Sequence, residues 1–459
     1  MRRTMTVPGT RLYSPRFLTV LPAILLPVVL AAQVTFERTY GGAGNDYGHT
    51  VVRAGTGYVL SGYTYSFGAG AADAYLVRTD SLGETLWTRV YGSDADDWSF
   101  NAAATADSGC VVVGYSTISG GKDVSLLKTD ANGDSSWART YGGSSDDIGC
   151  VVARCPDSGF IVVGTTFSFG AGQCDIYVVR TTAAGDTLWT RTFGGASEEQ
   201  GNAVAPTTDS GFIICAWTRS FGAGAGDVYV IKIDAGGDTL WTRRHGGAGN
   251  DVCHTIQQTP DGGYIMAGAT FSYGAVQGDF YLIRTDARGD TLWTRRYGTA
   301  AADLGHAVDL AAGSGFIVAG VTKSFGAGGY DAWLVRTDSL GDTLWTRTFG
   351  GGGEERAFSA MATADGGFAF GGWTGSSGAG AADAWLVKTD SAGRGAVTEP
   401  GDHPSRAGFV RTVLRAGEPI SAMGRLFDAA GRVVTTRPAA GVYYVVAHDR
   451  VPAKVAKVR

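Results

Sequence analysis

The sequence predicts an all-β fold, a seven-bladed β-propeller, from a repeat, from the strands within each repeat, and from how the first and last copies complete each other. The text LWTRTFGG at 344–351 recurs with its tryptophans 50 or 52 residues apart: Trp87, Trp137, Trp189, Trp241, Trp293 and Trp345. A seventh copy, FERTYGG, starts at Phe36 with Phe in place of Trp. Seven copies with a period near 52 residues indicate a repeat architecture.

Each repeat contains four short β-rich runs bounded by Gly, Asp or Ser. In the unit that ends at Phe349, the predicted strands are a (306–312), b (315–322), c (332–338) and d (343–349). No run keeps a helical period over about ten residues. Four antiparallel strands per unit, repeated along the chain, are typical of four-stranded propeller blades.

The order of the strands predicts a closed ring. The a-b-c set occurs seven times, whereas strand d precedes the first set at Phe36–Tyr40 and is missing after the last one. We therefore expect 36–40 to pair with 384–390, so that the N-terminal strand completes the seventh blade. An open solenoid would leave two bare sheet edges, which promote aggregation.

Strand d also predicts what holds neighbouring blades together. Alternation places Trp345, Arg347 and Phe349 on one face of the strand. An arginine occupies the middle of this strand in all seven copies: Arg38, Arg89, Arg139, Arg191, Arg243, Arg295 and Arg347. A repeated Trp-Arg-aromatic face is expected to pack against the next blade.

The composition indicates a globular, turn-rich chain without a basic surface for nucleic acid. Charged residues make up 18% of the chain, hydrophobic ones 44%, and 71 of 459 residues are Gly. Counting Lys and Arg against Asp and Glu gives +4 for residues 1–32, −14 for 33–396 and +5 for 397–459. A nucleic-acid partner would require a basic face, so this class is disfavoured. Most of the acids recur at turn positions, where Asp hydrogen-bonds backbone N–H groups.

The two ends of the chain predict export. Residues 1–32 contain four arginines, an apolar run at 17–32 and the small residues Ala31 and Ala32, which together indicate a signal peptide. An uncleaved anchor is the alternative. The propeller would occupy 33–395, a Gly-, Pro- and Ser-containing linker 396–405, and a small, basic, β-rich module 406–459. We expect a secreted or surface protein whose mature chain has no transmembrane segment.

Two motifs raise the question of a metal. GGAGND at 41–46 and 246–251 matches the core of a calcium-binding nonapeptide, but that motif works by stacking every nine residues. Calcium therefore stays a possible cofactor only. His49, His254 and His306 share one repeat position, but ligands must lie within a few ångströms of a metal and blade 7 separates the first from the last. Drift within the repeat is the favoured interpretation, and no metal site or other cofactor is predicted.

The cysteines could pair between neighbouring blades, because they cluster in blades 2 to 5. Six cysteines allow fifteen connectivities, and the spacing selects none of them. They are Cys110, Cys150, Cys155, Cys174, Cys215 and Cys253.

Two segments resemble known families. The repeat TDxxGDTLWTRTYGG followed by DGGFIVAG resembles the β-propeller repeats of secreted bacterial proteins. The part TDSLGDTLW is also similar to the tryptophan-docking repeat of quinoprotein dehydrogenases, although the vicinal cysteines of some of those enzymes are missing. In the tail, LFDAAGRVV, AAGVYYVV and VAKVR resemble the C-terminal sorting domain of type IX secretion cargo. That resemblance implies a small Ig-like sandwich and the outer-membrane secretion machinery as a partner.

The function that we expect is a non-catalytic binding or scaffold role at the cell exterior, with an extracellular glycan or protein as ligand. The alternative is an extracellular propeller enzyme, either glycan-acting or a quinoprotein-like oxidoreductase. Catalysis needs one set of loops to break the repeat, whereas these units differ by at most two residues in length. No catalytic residue is predicted. The ligand-binding candidates are aromatic residues at positions that are usually smaller or variable, with core filling as the alternative role: Trp98, Phe100, Trp217 and Trp373.

Overall fold

The computed structural model describes residues 33–118, 120–274 and 277–395, together with tail segments 425–427, 441–446 and 453–458. The expected signal peptide at 1–32 and the expected linker at 396–405 lie outside the described residues. The chain divides into two compact units, Met1–Ala396 and Val397–Arg459. In the described part of the chain, no helix is long and apolar enough to cross a membrane.

Seven four-stranded antiparallel sheets make up the first unit, which confirms the predicted seven-bladed propeller. The strand at the N-terminus is β1 (Phe36–Tyr40). Blade 1 consists of β2 (Asp46–Ala54), β3 (Gly57–Thr64), β4 (Asp73–Thr79) and β5 (Thr85–Tyr91). Blade 2 consists of β6 (Asp97–Ala104), β7 (Cys110–Ile118), β8 (Gly121–Thr129) and β9 (Ser135–Tyr141). Blade 3 consists of β10 (Asp147–Arg154), β11 (Phe160–Thr166), β12 (Asp175–Thr181) and β13 (Thr187–Phe193).

The remaining blades follow the same order of four strands. Blade 4 consists of β14 (Glu199–Pro206), β15 (Phe212–Thr218), β16 (Asp227–Ile233) and β17 (Thr239–His245). Blade 5 consists of β18 (Asp251–Gln258), β19 (Tyr264–Thr270), β20 (Asp279–Thr285) and β21 (Thr291–Tyr297). Blade 6 consists of β22 (Asp303–Ala311), β23 (Gly315–Thr322), β24 (Asp331–Thr337) and β25 (Thr343–Phe349). Blade 7 adds β26 (Glu355–Ala362), β27 (Phe368–Thr374) and β28 (Asp383–Thr389).

Ring closure occurs as predicted. Strand β1 pairs antiparallel with β28 in the order β1-β28-β27-β26, with Phe36 opposite Lys388 and Tyr40 opposite Ala384. Phe36 is only 3% exposed and packs with blade 1 residues such as Tyr58, whose ring centroid lies 6.0 Å away. The N-terminal strand therefore completes blade 7 and also contacts blade 1.

Four predicted strand boundaries in blade 6 were wrong. The inner strand spans Asp303–Ala311 instead of 306–312, and the third strand spans Asp331–Thr337 instead of 332–338. The early start of the inner strand has a physical reason. In each of the seven inner strands, the residue three positions after the first one forms a β-bulge. The strand therefore continues through His306, at which the alternating pattern is interrupted.

A buried acid at the start of each inner strand ties the loops of one face together. The Asp46 carboxylate accepts hydrogen bonds from the Thr64 and Ser66 hydroxyls and, at 2.7 Å, from Gly42 N–H. In blade 7, Glu355 accepts in the same way from Thr374. We call this face, which carries the loops from the outer to the next inner strand and from the second to the third strand, the upper face.

The outer strands hold neighbouring blades together on the lower face, as the Trp-Arg pattern predicted. Blade 4 shows the contact. The Arg243 guanidinium carbon lies 5.5 Å from the centre of the Trp241 ring, and Arg243 Nε donates a hydrogen bond to the Asp290 carboxylate of blade 5 at 2.9 Å. Gly289 of blade 5 has a φ of 79°, and a Cβ there would lie 2.6 Å from the indole ring. A glycine is therefore required both by the turn and by the approach of the tryptophan.

The tail forms a separate small sheet in its described segments. Strands β29 (Arg425–Phe427), β30 (Gly441–Val446) and β31 (Ala453–Val458) pair antiparallel in that order. These segments agree with the predicted β character of the module. The Ig-like sandwich stays a prediction.

We expect Trp241→Ala to lower the free energy of unfolding by about 3 kcal/mol, because truncating a packed aromatic residue leaves a cavity. This is the lower end of the usual range, since part of the ring stays exposed. The measurement is chemical denaturation, with Leu240→Ala as the matched control. Leu240 is adjacent but 56% exposed, so its truncation should change the free energy by less than about 0.5 kcal/mol. Equal effects of the two substitutions would contradict the packing role.

Candidate binding face

The axial channel is lined by the seven bulge residues, one from each inner strand. A bulge turns its side chain away from the alternating pattern, and here all seven turn towards a cavity of about 660 Å³. The set consists of His49, Phe100, Cys150, Asn202, His254, His306 and Phe358. The three histidines, which share one repeat position, are thus brought to one ring.

Phe358 separates two of these histidines. Its ring lies 4.9 Å from His49 in a parallel stack and 4.8 Å from His306. The centroids of His254 and His306 are 5.3 Å apart. In the described part of the chain, no group of three or more His, Cys, Asp or Glu side chains could hold a metal ion.

The channel wall favours the neutral form of the three imidazoles, although His254 is exposed to the channel and His49 and His306 are half-buried. Loss of solvation lowers the pKa of His49 and of His254 to about 4, and of His306 to about 3. For His306 the neighbouring His254 adds to the effect, while a hydrogen bond opposes it. That bond joins Nδ1 to the Ala357 carbonyl at 3.0 Å, and because a carbonyl only accepts, Nδ1 carries the proton.

A continuous line of rings and cations runs along the upper face above this channel. It begins at Lys323 of blade 6, whose Nζ lies 4.2 Å from the Tyr330 ring, and ends at Lys122 of blade 2, 4.5 Å from the Tyr115 ring. Between them, successive partners are 4.1 to 5.8 Å apart. We call the following residues the aromatic arc: Tyr330, Arg356, Trp373, Tyr47, Tyr63, Tyr65, Trp98 and Tyr115.

The arc occupies one half of the ring because the same repeat positions carry other residues elsewhere. In every blade, the second residue of the inner strand pairs with a residue on the next strand. These pairs are Tyr47 with Tyr63 in blade 1, Trp98 with Tyr115 in blade 2 and Arg356 with Trp373 in blade 7. The equivalent pairs in blades 3, 4, 5 and 6 are Ile148 with Thr165, Gln200 with Trp217, Val252 with Ala269, and Leu304 with Val321.

Three of the four candidate residues from the sequence lie together on this half. Trp98 is half-buried and stacks on Tyr63 at 4.1 Å and on Tyr115 at 5.6 Å. Trp373 meets Tyr47 edge-on at 5.4 Å. Phe100 lies one level lower, in the channel, 5.5 Å from the His49 ring.

Trp217 lies apart from the other candidates, in blade 4. Only 8% of its surface is exposed, its Nε1 donates to Asn250 Oδ1 at 2.8 Å, and the Arg219 guanidinium covers the ring at 5.1 Å. Its environment is that of a residue packed within the fold. The most accessible ring of the arc is instead Tyr65, which is 46% exposed.

Sequence reasoning missed most of the arc. Tyr47, Tyr63, Tyr65, Tyr115, Tyr330 and Arg356 were not selected as candidates. A comparison of the second residue of every inner strand would have indicated part of the set, since Tyr47 and Trp98 replace aliphatic residues there. No signal in the sequence places Tyr330 beside Arg356.

Two buried donors on the arc have no hydrogen-bond partner in the described residues. They are the Nε1 of Trp98 and the Nε of Arg356. Native proteins pair most buried polar groups, and the exceptions concentrate where function or strain requires them. The guanidinium of Arg356 is held by the rings of Tyr330 and Trp373 and by Glu354, whose Oε2 lies 3.6 Å away.

In the glycine-rich loops that resemble calcium motifs, the aspartate carboxylate accepts hydrogen bonds from the protein itself. Asp251 accepts from the Thr270 and Ser272 hydroxyls and from Gly247 N–H, in the same arrangement as Asp46. These hydrogen bonds therefore connect the loops of the upper face to the first residue of the inner strand.

One disulfide links neighbouring blades, in agreement with the expected type of pairing. Cys215 of blade 4 is bonded to Cys253 of blade 5, with the Cα atoms 6.2 Å apart. Cys253 directly precedes the channel residue His254, so the bond fixes the channel wall at this point. The other four cysteines are free in the structure.

No protein-family model matches the sequence, and no curated protein matches it. Among solved structures, a protein of unknown function from Bacteroides caccae is 11% identical, with a TM-score of 0.38 over 64% of this chain and 94% of its own. Sqt1 from Chaetomium thermophilum is 12% identical, with a TM-score of 0.44 over 76% of this chain and 97% of its own. The Pan2 WD40 domain of Neurospora crassa is 10% identical, with a TM-score of 0.33 and 74% coverage of both chains. Similarity at this level carries no functional information.

The channel histidines predict a loss of stability in mild acid. The unfolded chain takes up these protons near the ordinary pKa of 6.5, whereas folded His306 resists protonation until about pH 3. The unfolded state thus binds more protons between these values, and the free energy of unfolding falls as the pH drops below about 6.5. We expect denaturation midpoints at pH 7 and pH 5 to differ less in His306→Gln than in the wild type. Asn202→Gln, a non-titrating control at the same repeat position, should behave like the wild type. An unchanged pH dependence in His306→Gln would count against this account.

Proposed function

We propose that this protein is a non-catalytic binding module whose ligand docks on the upper face, over the aromatic arc. One observation carries the proposal: the backbone repeats in all seven blades, whereas the side chains depart from the repeat on one half of one face. Blades 3, 5 and 6 form the same strand pairs without aromatic residues at these positions, so folding does not require them. Aromatic and arginine side chains are also the residues enriched in binding hot spots.

The propeller suits a binding role because hydrogen bonds and packing hold the residues of the arc in place. Buried acids such as Asp46 tie the loops of the upper face to the inner strands. Buried Tyr63 and Tyr115 support Trp98 from both sides. Preorganised contact residues lose little conformational freedom on binding, which raises affinity.

The proposal includes export to the cell exterior, with sorting by the tail. The signal-like segment 1–32 and the resemblance of 406–459 to type IX sorting domains support it. The bond between Cys215 and Cys253 also fits an oxidising compartment.

Binding is tested with the full-length chain on arrays of immobilised extracellular glycans and peptides. We expect selective binding that weakens about tenfold in Trp373→Ala, the effect of losing one well-packed aromatic contact. Phe167→Ala is the control, because Phe167 is an exposed upper-face aromatic in blade 3, outside the arc. Selective binding that Trp373→Ala leaves unchanged would reject the arc as the site.

Export is tested by fractionating cells that express the full-length chain in the native host. We expect the protein in the medium or on the cell surface, and deletion of 1–32 should retain it in the cytoplasm. Deletion of 406–459 alone should leave it between the two membranes. Cytoplasmic accumulation of the full-length chain would refute export.

A further inference from the structure

We infer that the ligand of the aromatic arc is a neutral, unbranched polysaccharide chain; this rests on the proposed binding function and specifies its ligand. The inference draws on three properties of the arc, namely its open linear shape, its balanced charge, and the combination of apolar rings with hydroxyl groups.

The shape of the arc suits a chain better than a compact small molecule. Its members follow the channel mouth across four blades, from Tyr330 to Tyr115, and the cavity of about 330 Å³ beside Trp98 and Tyr115 takes in only one end of the arc. A ligand that contacts the whole arc must therefore be extended.

The cations along the arc, Lys323, Arg356 and Lys122, are offset by at least as many acids. Glu354 lies 3.6 Å from Arg356, and Asp146 accepts from the Lys122 backbone N–H at 3.0 Å. Burial raises the pKa of Tyr115, and the charges of the nearby Asp96 and Asp97 raise it further. An acidic polymer would require an excess of cations, which draw anions to a surface. The balance therefore favours an uncharged ligand.

The chemistry of the arc matches a sugar ring, which has an apolar C–H face and a rim of hydroxyls. Tyr47, Tyr65, Trp373 and Tyr330 all reach the surface and present aromatic carbon to such a face. A tyrosine hydroxyl is protonated at neutral pH, so that of Tyr65 can both donate and accept. A peptide that binds by strand addition would require a free strand edge, and the arc consists of side chains; a proline-rich peptide, which docks on aromatic side chains, is distinguished by the test below.

The level below the arc continues the same surface into the channel. Phe100 and His49 contact each other at 5.5 Å, and His49 also lies 5.5 Å from the Tyr63 ring of the arc. The opposite wall, formed by Cys150 and Asn202, carries no ring at this level. A chain lying on the arc therefore has one aromatic wall to follow.

The test titrates the full-length chain by calorimetry with four neutral linear hexasaccharides: cellohexaose, laminarihexaose, mannohexaose and xylohexaose. Hexagalacturonate is the charged probe of equal length. We expect at least one neutral probe to bind, with affinity about tenfold lower in Tyr65→Ala and changed less than about twofold in Phe167→Ala. The two residues occupy the same repeat position and are 46% and 49% exposed, so neither substitution should unfold the chain. Thermal melts of both variants verify this.

The outcomes separate the ligand class from the binding function. Binding of hexagalacturonate or of array peptides through Tyr65, without binding of any neutral probe, overturns the polysaccharide inference and leaves the proposed function intact. Binding that Tyr65→Ala and Trp373→Ala both leave unchanged overturns the two together. Neutral-probe binding that weakens in Tyr65→Ala but not in Phe167→Ala supports the inference.

Discussion

The pairing of β1 with β28 is the constraint on which the rest of the structure depends. Five residues at the N-terminal end of the propeller, Phe36–Tyr40, supply the fourth strand of a blade whose other strands lie more than 300 residues later. The hydroxyl of Tyr40 then donates to the Gly83 carbonyl of blade 1 at 2.7 Å. Because these contacts connect blade 7 to blade 1, the seventh blade does not end in an unpaired third strand, and each blade keeps only the short edges of its inner and outer strands.

Closure also creates the candidate binding face. Trp373 and Tyr47 are far apart in the chain, and they touch only because blade 7 meets blade 1. Within the repeat, the same backbone positions carry Ile148 or Val252 without any change in strand pairing. The fold therefore tolerates different side chains at these positions, and the aromatic ones accumulate on either side of the junction. The proposed binding function rests on this arrangement, a symmetric frame with one asymmetric arc.

The lower face has the opposite character, since its contacts repeat from blade to blade. The Trp241 and Arg243 pair against Gly289 and Asp290 has counterparts around the ring, such as Arg191 with Asp238 at 3.6 Å. Such exposed ion pairs contribute little by themselves. The packing of each indole on the glycine turn of the next blade is the larger contribution, because it removes apolar surface from water.

The sequence by itself determined the number of blades, the four strands in each blade and the closure of the ring, because these depend on period, alternation and the order of strands. It also identified Trp98 and Trp373 as departures from the repeat. Only the tertiary structure decided that these two residues share a surface and that Trp217 is buried. Blade 7 lies beside blade 1 only because the ring closes, and the order of residues along the chain does not show which side chains then meet. The same holds for Arg356, which is held between Tyr330 and Trp373 by contacts that no local pattern encodes.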